Sequence, residues 1–248
     1  MKQEQESAAN EQGQAAVGRA KSAPTASPAK PAQNDYEPYV TPPILYEMVR
    51  WLLAMPIFHL TARLRVRGLY NIPTNGPFII ASNHLSWTDI PLVAMFVRRR
   101  KVVYMAKEEY FRGKLRWLVR LLGSFPVKRG EADRQALRAS EEQLKKGNIL
   151  VIFPEGTRSR TQTMAQARAG LGLIALRTGV PVVPVAVWGS ENLLKKFGAP
   201  VTISYGQPIV LKPKGKKLTR EDIDEATTTI MHTIAEMLPP QYRGVYGE

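Results

Sequence analysis

The chain has no cysteine. That excludes disulfides, thiolate metal sites and a covalent intermediate on a thiol, and says little about compartment. Histidine is almost as scarce: His59, His84 and His232 are the only three, and they are too widely separated for metal-ligand spacing. No metal is expected. Long apolar runs are missing too. The richest stretch, residues 44–60, is interrupted by Glu47, Arg50, Pro56 and His59, whereas a spanning helix needs roughly 20 largely apolar residues. No charged start leads into an apolar core, so no signal peptide is expected. There is no Walker loop and no Gly-x-Ser-x-Gly nucleophile elbow. Gly170-Leu171-Gly172-Leu173-Ile174-Ala175 spells a dinucleotide-binding pattern, but no strand precedes it and no suitable acidic residue ends the following strand. It reads instead as a helix whose small residues allow close packing.

Acidic residues are outnumbered, with 21 against 35 lysines and arginines, for a net charge of +14. The excess is unevenly placed. Residues 1–35 balance four basic against four acidic side chains, while residues 98–129 hold eleven basic ones against Glu108 and Glu109 only. Such a field suits an anionic partner: nucleic acid, anionic lipid, a nucleotide-bearing substrate such as CoA, or an acidic carrier protein. The 248 residues and 44% hydrophobic content are enough for one sizeable α/β domain with appendages.

Two polar loops follow apolar, strand-like runs. Phe78-Ile79-Ile80-Ala81 leads into Asn83-His84-Leu85-Ser86-Trp87-Thr88-Asp89, and Asp89 stands where it can cap a helix starting at Ile90-Pro91. A histidine at a strand end and a carboxylate five residues on can meet across the turn. Asp89 would then hold one imidazole nitrogen of His84 and leave the other to take a proton from a hydroxyl. A loop cap is the plainer use of the same residues. The second run, Ile149-Leu150-Val151-Ile152, leads into Phe153-Pro154-Glu155-Gly156-Thr157-Arg158-Ser159. In α/β folds, loops leaving strand ends build the sites. Here Arg158 can clamp a phosphate, Gly156 lets backbone approach closely, and Glu155 can orient Arg158 or an acceptor hydroxyl. The alternative is a tight turn held by an internal ion pair.

At these residues the sequence resembles the glycerolipid acyltransferases. Asn83-His84-x-Ser86-x-x-Asp89 is similar to their His-x4-Asp motif, and Phe153 to Ser159 to their Phe-Pro-Glu-Gly-Thr-Arg-Ser block. Gly123-Ser124-Phe125-Pro126-Val127-Lys128-Arg129 and Val180-Pro181-Val182-Val183-Pro184-Val185 agree with two weaker blocks in order and spacing. Among these families the lysophosphatidic acid acyltransferases resemble it most. The resemblance implies transfer of an acyl group from acyl-CoA or acyl carrier protein to the free hydroxyl of lysophosphatidic acid, with no bound cofactor. It implies His84 as general base, Asp89 as its orienter, and Lys107, Arg129 and Arg158 as holders of the acceptor phosphate, with Glu155, Gly156 and Thr157 in the substrate-binding block. Family members often carry an acidic residue before that arginine; this chain has Lys128. Glycerol-3-phosphate or another lysophospholipid stays open as acceptor, and a non-catalytic binder of anionic membrane or nucleic acid stands as the rival class.

Strands alternating with helices imply an α/β fold around a mainly parallel sheet flanked by helices, with an N-terminal helical appendage. The expected divisions are a disordered tail over 1–40, a helical membrane-docking segment over 41–66 and an acyltransferase domain over 67–248. Two short helices broken near Pro56 are expected over residues 44–60, lying in the membrane interface or packed on the core. A strand is expected from Arg63 to Ile72, and an amphipathic helix over 109–122 with Arg112, Arg116 and Arg120 in a stripe. The helix over 109–122 reads either as interfacial or as a basic surface helix. The basic loop Lys212–Lys217 reads as touching lipid headgroups or remaining in water, and Thr219 reads as the cap of the last helix. With the resemblance, the expected location is the cytoplasmic side of the cell membrane as a peripheral, monotopic protein, with anionic phospholipid and no nucleic acid as partner.

Overall fold

The computed structural model describes Met48, Leu52 and residues 55–97, 101–114, 116–127 and 134–247. The expected tail over 1–40, most of the first half of the docking segment, and Arg129 lie outside the described residues. Seven strands form one sheet in the order β1-β7-β6-β2-β5-β3-β4. They are β1 Ala62–Arg67, β2 Ile79–Ser82, β3 Val102–Lys107, β4 Ser124–Val127, β5 Ile149–Ile152, β6 Val182–Trp188 and β7 Ala199–Tyr205. Every pairing is parallel except β6 with β7. The expected mainly parallel α/β sheet is therefore present.

The central strands are continuous apolar runs because helices cover both faces. β2 and β5 are buried at every position. Alternation then sorts their side chains. Phe78 and Ile80 join Leu92 and Val93 of α2 (Asp89–Ala94) on one face, together with Phe58 of α1 (Met55–Thr61). Ile79 and Ala81 face α5 (Arg134–Lys145), α6 (Gly170–Thr178) and α7 (Arg220–Met237) on the other. Gly172 explains why α6 carries a glycine pair. A Cβ there would stand 2.3 Å from the Ile223 carbonyl oxygen of α7, so the two helix backbones touch only because residue 172 has no side chain. The close-packing reading of that stretch holds. α7 starts as expected at Thr219, whose hydroxyl accepts from Asp222 N while the Asp222 carboxylate accepts from Thr219 N.

Two local expectations need correction, and one strand was not anticipated. The strand from Arg63 stops at Arg67, because Gly68 turns the chain into the left-handed region (φ 68°) and a short 3₁₀ turn, Leu69–Asn71, follows. The helix over 109–122 is two pieces, α3 (Glu109–Arg112) and α4 (Arg116–Leu121), because Gly113 is extended (ψ −175°). Arg112 pairs with Glu108, so the arginines do not form one continuous stripe. Finally, residues 124–127 form a strand that their block resemblance did not indicate; Pro126 is tolerated there because β4 is an edge strand with one side unpaired. Among the described residues no helix is long and apolar enough to cross a membrane.

Candidate active site

The parallel strands β2, β5, β3 and β4 deliver their following loops to one edge of the sheet. The chain leaving β2 goes to α2 on one face, and the chain leaving β5 goes to α6 on the other. Two neighbouring strands whose connections diverge leave a crevice between them, the usual ligand position in such sheets. Both loops singled out from the sequence open into it.

His84 and Asp89 do meet. His84 Nδ1 lies 3.0 Å from Asp89 Oδ2, with the histidine 8% and the aspartate 0% exposed. The same oxygen accepts Leu85 N at 2.6 Å and Ser86 N at 2.7 Å. Asp89 is thus the first residue of α2 and not its cap: Thr88 occupies the cap position, and the carboxylate turns back to hold the loop it follows. Three N–H groups thus converge on one buried oxygen. A carboxylate can only accept, so Nδ1 is the donor, and in the neutral imidazole Nε2 keeps the lone pair. Phe153 stacks on the imidazole, with ring centroids 4.1 Å apart and planes 23° apart, and fixes its plane.

Glu155 is 5% exposed, and it ties loops together instead of orienting Arg158. Its Oε1 accepts His84 N at 3.0 Å and its Oε2 accepts Ala165 N at 2.9 Å. Ser159 N donates back to the His84 carbonyl at 2.8 Å, so the two loops are laced in both directions. Burial pushes the Glu155 carboxyl up from 4.5 to about 7, against the two backbone N–H groups that lower it; the charge of Asp89 adds to the rise. Gly156 has a positive φ of 72°, and a Cβ on it would lie 2.9 Å from Arg168 Nε. The expected close approach at Gly156 is therefore made by an arginine side chain.

Thr157 and Arg158 are exposed at the crevice. The Arg158 guanidinium sits 4.5 Å from the centroid of the Trp87 ring, and Trp87 meets Tyr110 edge-on at 5.1 Å. Arg158 is thereby parked over the loop that carries His84. Lys107 is the last residue of β3, half-buried, with Nζ 2.7 Å from Glu109 Oε1. Arg129, the other expected cation, lies outside the described residues. No group of three or more His, Asp or Glu side chains able to hold a metal ion occurs among the described residues.

Several supports had no signal in the sequence. The Asn83 side chain clamps Val187, donating from Nδ2 to its carbonyl and accepting its N–H at Oδ1, both at 2.8 Å. The C-terminal segment straps the far side of the second loop. Met164 N donates to Tyr242 O at 2.9 Å, and Ala167 N donates to the Tyr246 hydroxyl at 3.0 Å. Partners such as His84–Glu155 and Asn83–Val187 are 71 and 104 residues apart, beyond any local pattern.

Comparison with known proteins places the chain in a family. The acyltransferase family model matches residues 63–188, from β1 to the end of β6. A lyso-ornithine lipid O-acyltransferase of Pseudomonas aeruginosa is 33% identical over 147 residues, 58% of this chain and 55% of that protein. The chain thus spans little more than half the length of that relative. A 1-acyl-sn-glycerol-3-phosphate acyltransferase of the same organism is 30% identical over 198 residues, 75% of this chain and 74% of that protein. The crystal structure of the 1-acyl-sn-glycerophosphate (LPA) acyltransferase PlsC from Thermotoga maritima superposes with a TM-score of 0.61 at 30% identity, covering 78% of this chain and 79% of that one.

Proposed function

The chain belongs to the acyltransferase family, with 1-acyl-sn-glycerol-3-phosphate acyltransferases among its relatives, and from that premise we propose that it acylates the free hydroxyl of lysophosphatidic acid to give phosphatidic acid. Acyl-CoA or acyl carrier protein supplies the acyl group. The observation that carries the reading is the buried His84–Asp89 contact at the β2/β5 crevice. His84 Nε2 takes the proton of the acceptor hydroxyl as its oxygen attacks the thioester carbonyl carbon. The imidazolium that forms is stabilised by Asp89. The tetrahedral intermediate then collapses, the carbon–sulfur bond breaks, and the thiolate takes the proton back from His84. No protein nucleophile is acylated.

Lys107, Arg129 and Arg158 are proposed to hold the acceptor phosphate, which brings its hydroxyl to His84 and lowers the entropic part of the barrier. Arg158 leaves Trp87 to do so, or grips phosphate while stacked on it. Glu155, Gly156 and Thr157 shape the binding loop. The protein would work as a peripheral enzyme on the cytoplasmic side of the cell membrane, docked on anionic lipid by the helical part of the expected 41–66 segment only, because residues 62–66 belong to β1 and pair with β7 in the sheet. The exposed Ile57 and Leu60 of α1 support that placement.

A second reading is favoured by the similarity to the lyso-ornithine lipid enzyme: an acceptor with a different headgroup. Transfer of labelled acyl groups from acyl-CoA to lysophosphatidic acid, glycerol-3-phosphate, other lysophospholipids and lyso-ornithine lipid tests both. The expected result is preference for lysophosphatidic acid and loss of transfer in His84→Ala. Undiminished transfer by His84→Ala removes the general base. Activity confined to acceptors lacking phosphate removes the cation grip and moves the assignment to the second reading.

A further inference from the structure

We propose that the loop Leu194-Lys195-Lys196-Phe197 is a second bilayer-docking element, which enters an anionic phospholipid surface beside the mouth of the candidate site. The inference rests on the lipid-acylating reading for its purpose and on the loop itself for its chemistry. Leu194 is 80% and Phe197 74% exposed, and Lys195 and Lys196 between them are exposed as well. Two large apolar side chains at the tip of a surface loop are costly in water and fit an acyl-chain boundary, while the intervening lysines fit lipid phosphates.

The loop is built rather than slack. Leu193, immediately before it, is buried in the core. Lys195 N and Lys196 N both donate to Asn192 O at 2.9 Å, and Ala199 N donates to Lys196 O at 3.2 Å. Its base is braced by the Tyr242 hydroxyl donating to Glu191 Oε1 at 2.9 Å. A rigid turn can present its tip without the ordering cost that a floppy loop meets on binding.

Position decides the partner. The loop follows β6, whose end lies at the same sheet edge as the ends of β2 and β5. Thr88, next to Asp89, donates its hydroxyl to Ser190 O at 3.3 Å, which fastens the start of the loop to the His84 loop. On its other side Gly198 N donates to Thr61 O at 2.8 Å, continuing the Ala62↔Ala199 pairing. That bond sets Phe197 alongside the end of α1, where Leu60 is 71% exposed. The loop is therefore tied at one end to the His84 loop and at the other to the last residue of α1, which puts its apolar tip near the crevice where a lysolipid must enter.

The test compares wild type, the double variant Leu194→Asp/Phe197→Asp and the charge variant Lys195→Glu/Lys196→Glu. Binding is read by co-sedimentation with phosphatidylcholine vesicles, with and without phosphatidylglycerol. Activity is read separately, without vesicles, on a short-chain water-soluble lysophosphatidate. Vesicle affinity should fall about tenfold or more in the first variant. In the second, the gain due to phosphatidylglycerol should shrink severalfold while binding to phosphatidylcholine alone stays as in wild type. Soluble-substrate activity and the thermal midpoint should stay as in wild type. Should the aspartates impair folding, Phe197→Trp serves instead, its added indole fluorescence being quenched by bilayers of brominated lipid. Unchanged vesicle binding in the variants, or no added quenching in Phe197→Trp, overturns the proposal. So does light scattering that shows a wild-type dimer dissolved by the aspartates, since the tip is then a contact between copies. Failure of the acyltransferase reading would show as absent soluble-substrate activity in wild type, which leaves the vesicle result standing.

Discussion

Asp89 Oδ2 serves three donors at once, so chemistry and loop shape depend on the same atom. Two substitutions separate those roles. His84→Ala should lower turnover about 10²- to 10⁴-fold, the usual worth of a general base, with little change in thermal stability. Asp89→Ala should lose activity and stability together, because Leu85 N and Ser86 N lose a buried acceptor at about 1–3 kcal/mol each. Rates and urea midpoints measured on both proteins check this. Glu155 permits a prediction with a sign. Its carboxyl is held at about 7 in the folded protein and titrates near 4.5 when unfolded. Between those values the folded chain binds more protons, so stability falls as pH rises from about 4.5 to about 7 and then levels, by about 3 kcal/mol at most. Glu155→Gln should flatten that slope in urea unfolding across the window. The amide also presents its NH₂ to one of the two backbone donors, so the variant should be less stable than wild type below about pH 4.5, and the gap should narrow as pH rises to about 7 and wild type alone loses stability.

Elements bring these residues into place through contacts that single positions control. Gly172→Ala would drive a methyl group into the Ile223 carbonyl, forcing α6 and α7 apart. The expected cost is about 1–3 kcal/mol, read as a drop of several degrees in thermal midpoint, with a larger drop for Gly172→Val. α2 is short, and it serves two purposes: its first residue faces backwards into the His84 loop, while Leu92, Val93 and Ala94 fix the helix in the core and so hold that post in place. The divided α3 and α4 show where periodicity misled. The apolar spacing continued past Gly113, but a residue with low helix propensity can break a helix whose two halves find separate packing.

On the scale of the molecule, the site is assembled by two strands whose connections part to opposite faces and by a C-terminal strap that reaches back over the second loop. The strap predicts an effect at a distance. Tyr246→Phe removes the acceptor of Ala167 N, and with it one anchor of the segment that presents Ala165 N to Glu155. Hydrogen exchange over residues 159–169 should speed up severalfold while exchange in β2 and β5 stays as in wild type. A variant with unaltered exchange there would deny the strap its role.

The buried strands, the turn between His84 and Asp89, the cap at Thr219 and the alternation that makes an α/β sheet were all readable from the chain, because each depends on neighbours a few residues apart. So was the family, since its motifs are contiguous. What Glu155 does, what Asn83 clamps, which aromatic rings flank His84 and Arg158, and which loop lies beside α1 were decided only by tertiary structure. The reason is the parallel sheet itself: it places strands side by side that are far apart along the chain, so the partners of a loop residue are chosen by strand order and not by local sequence.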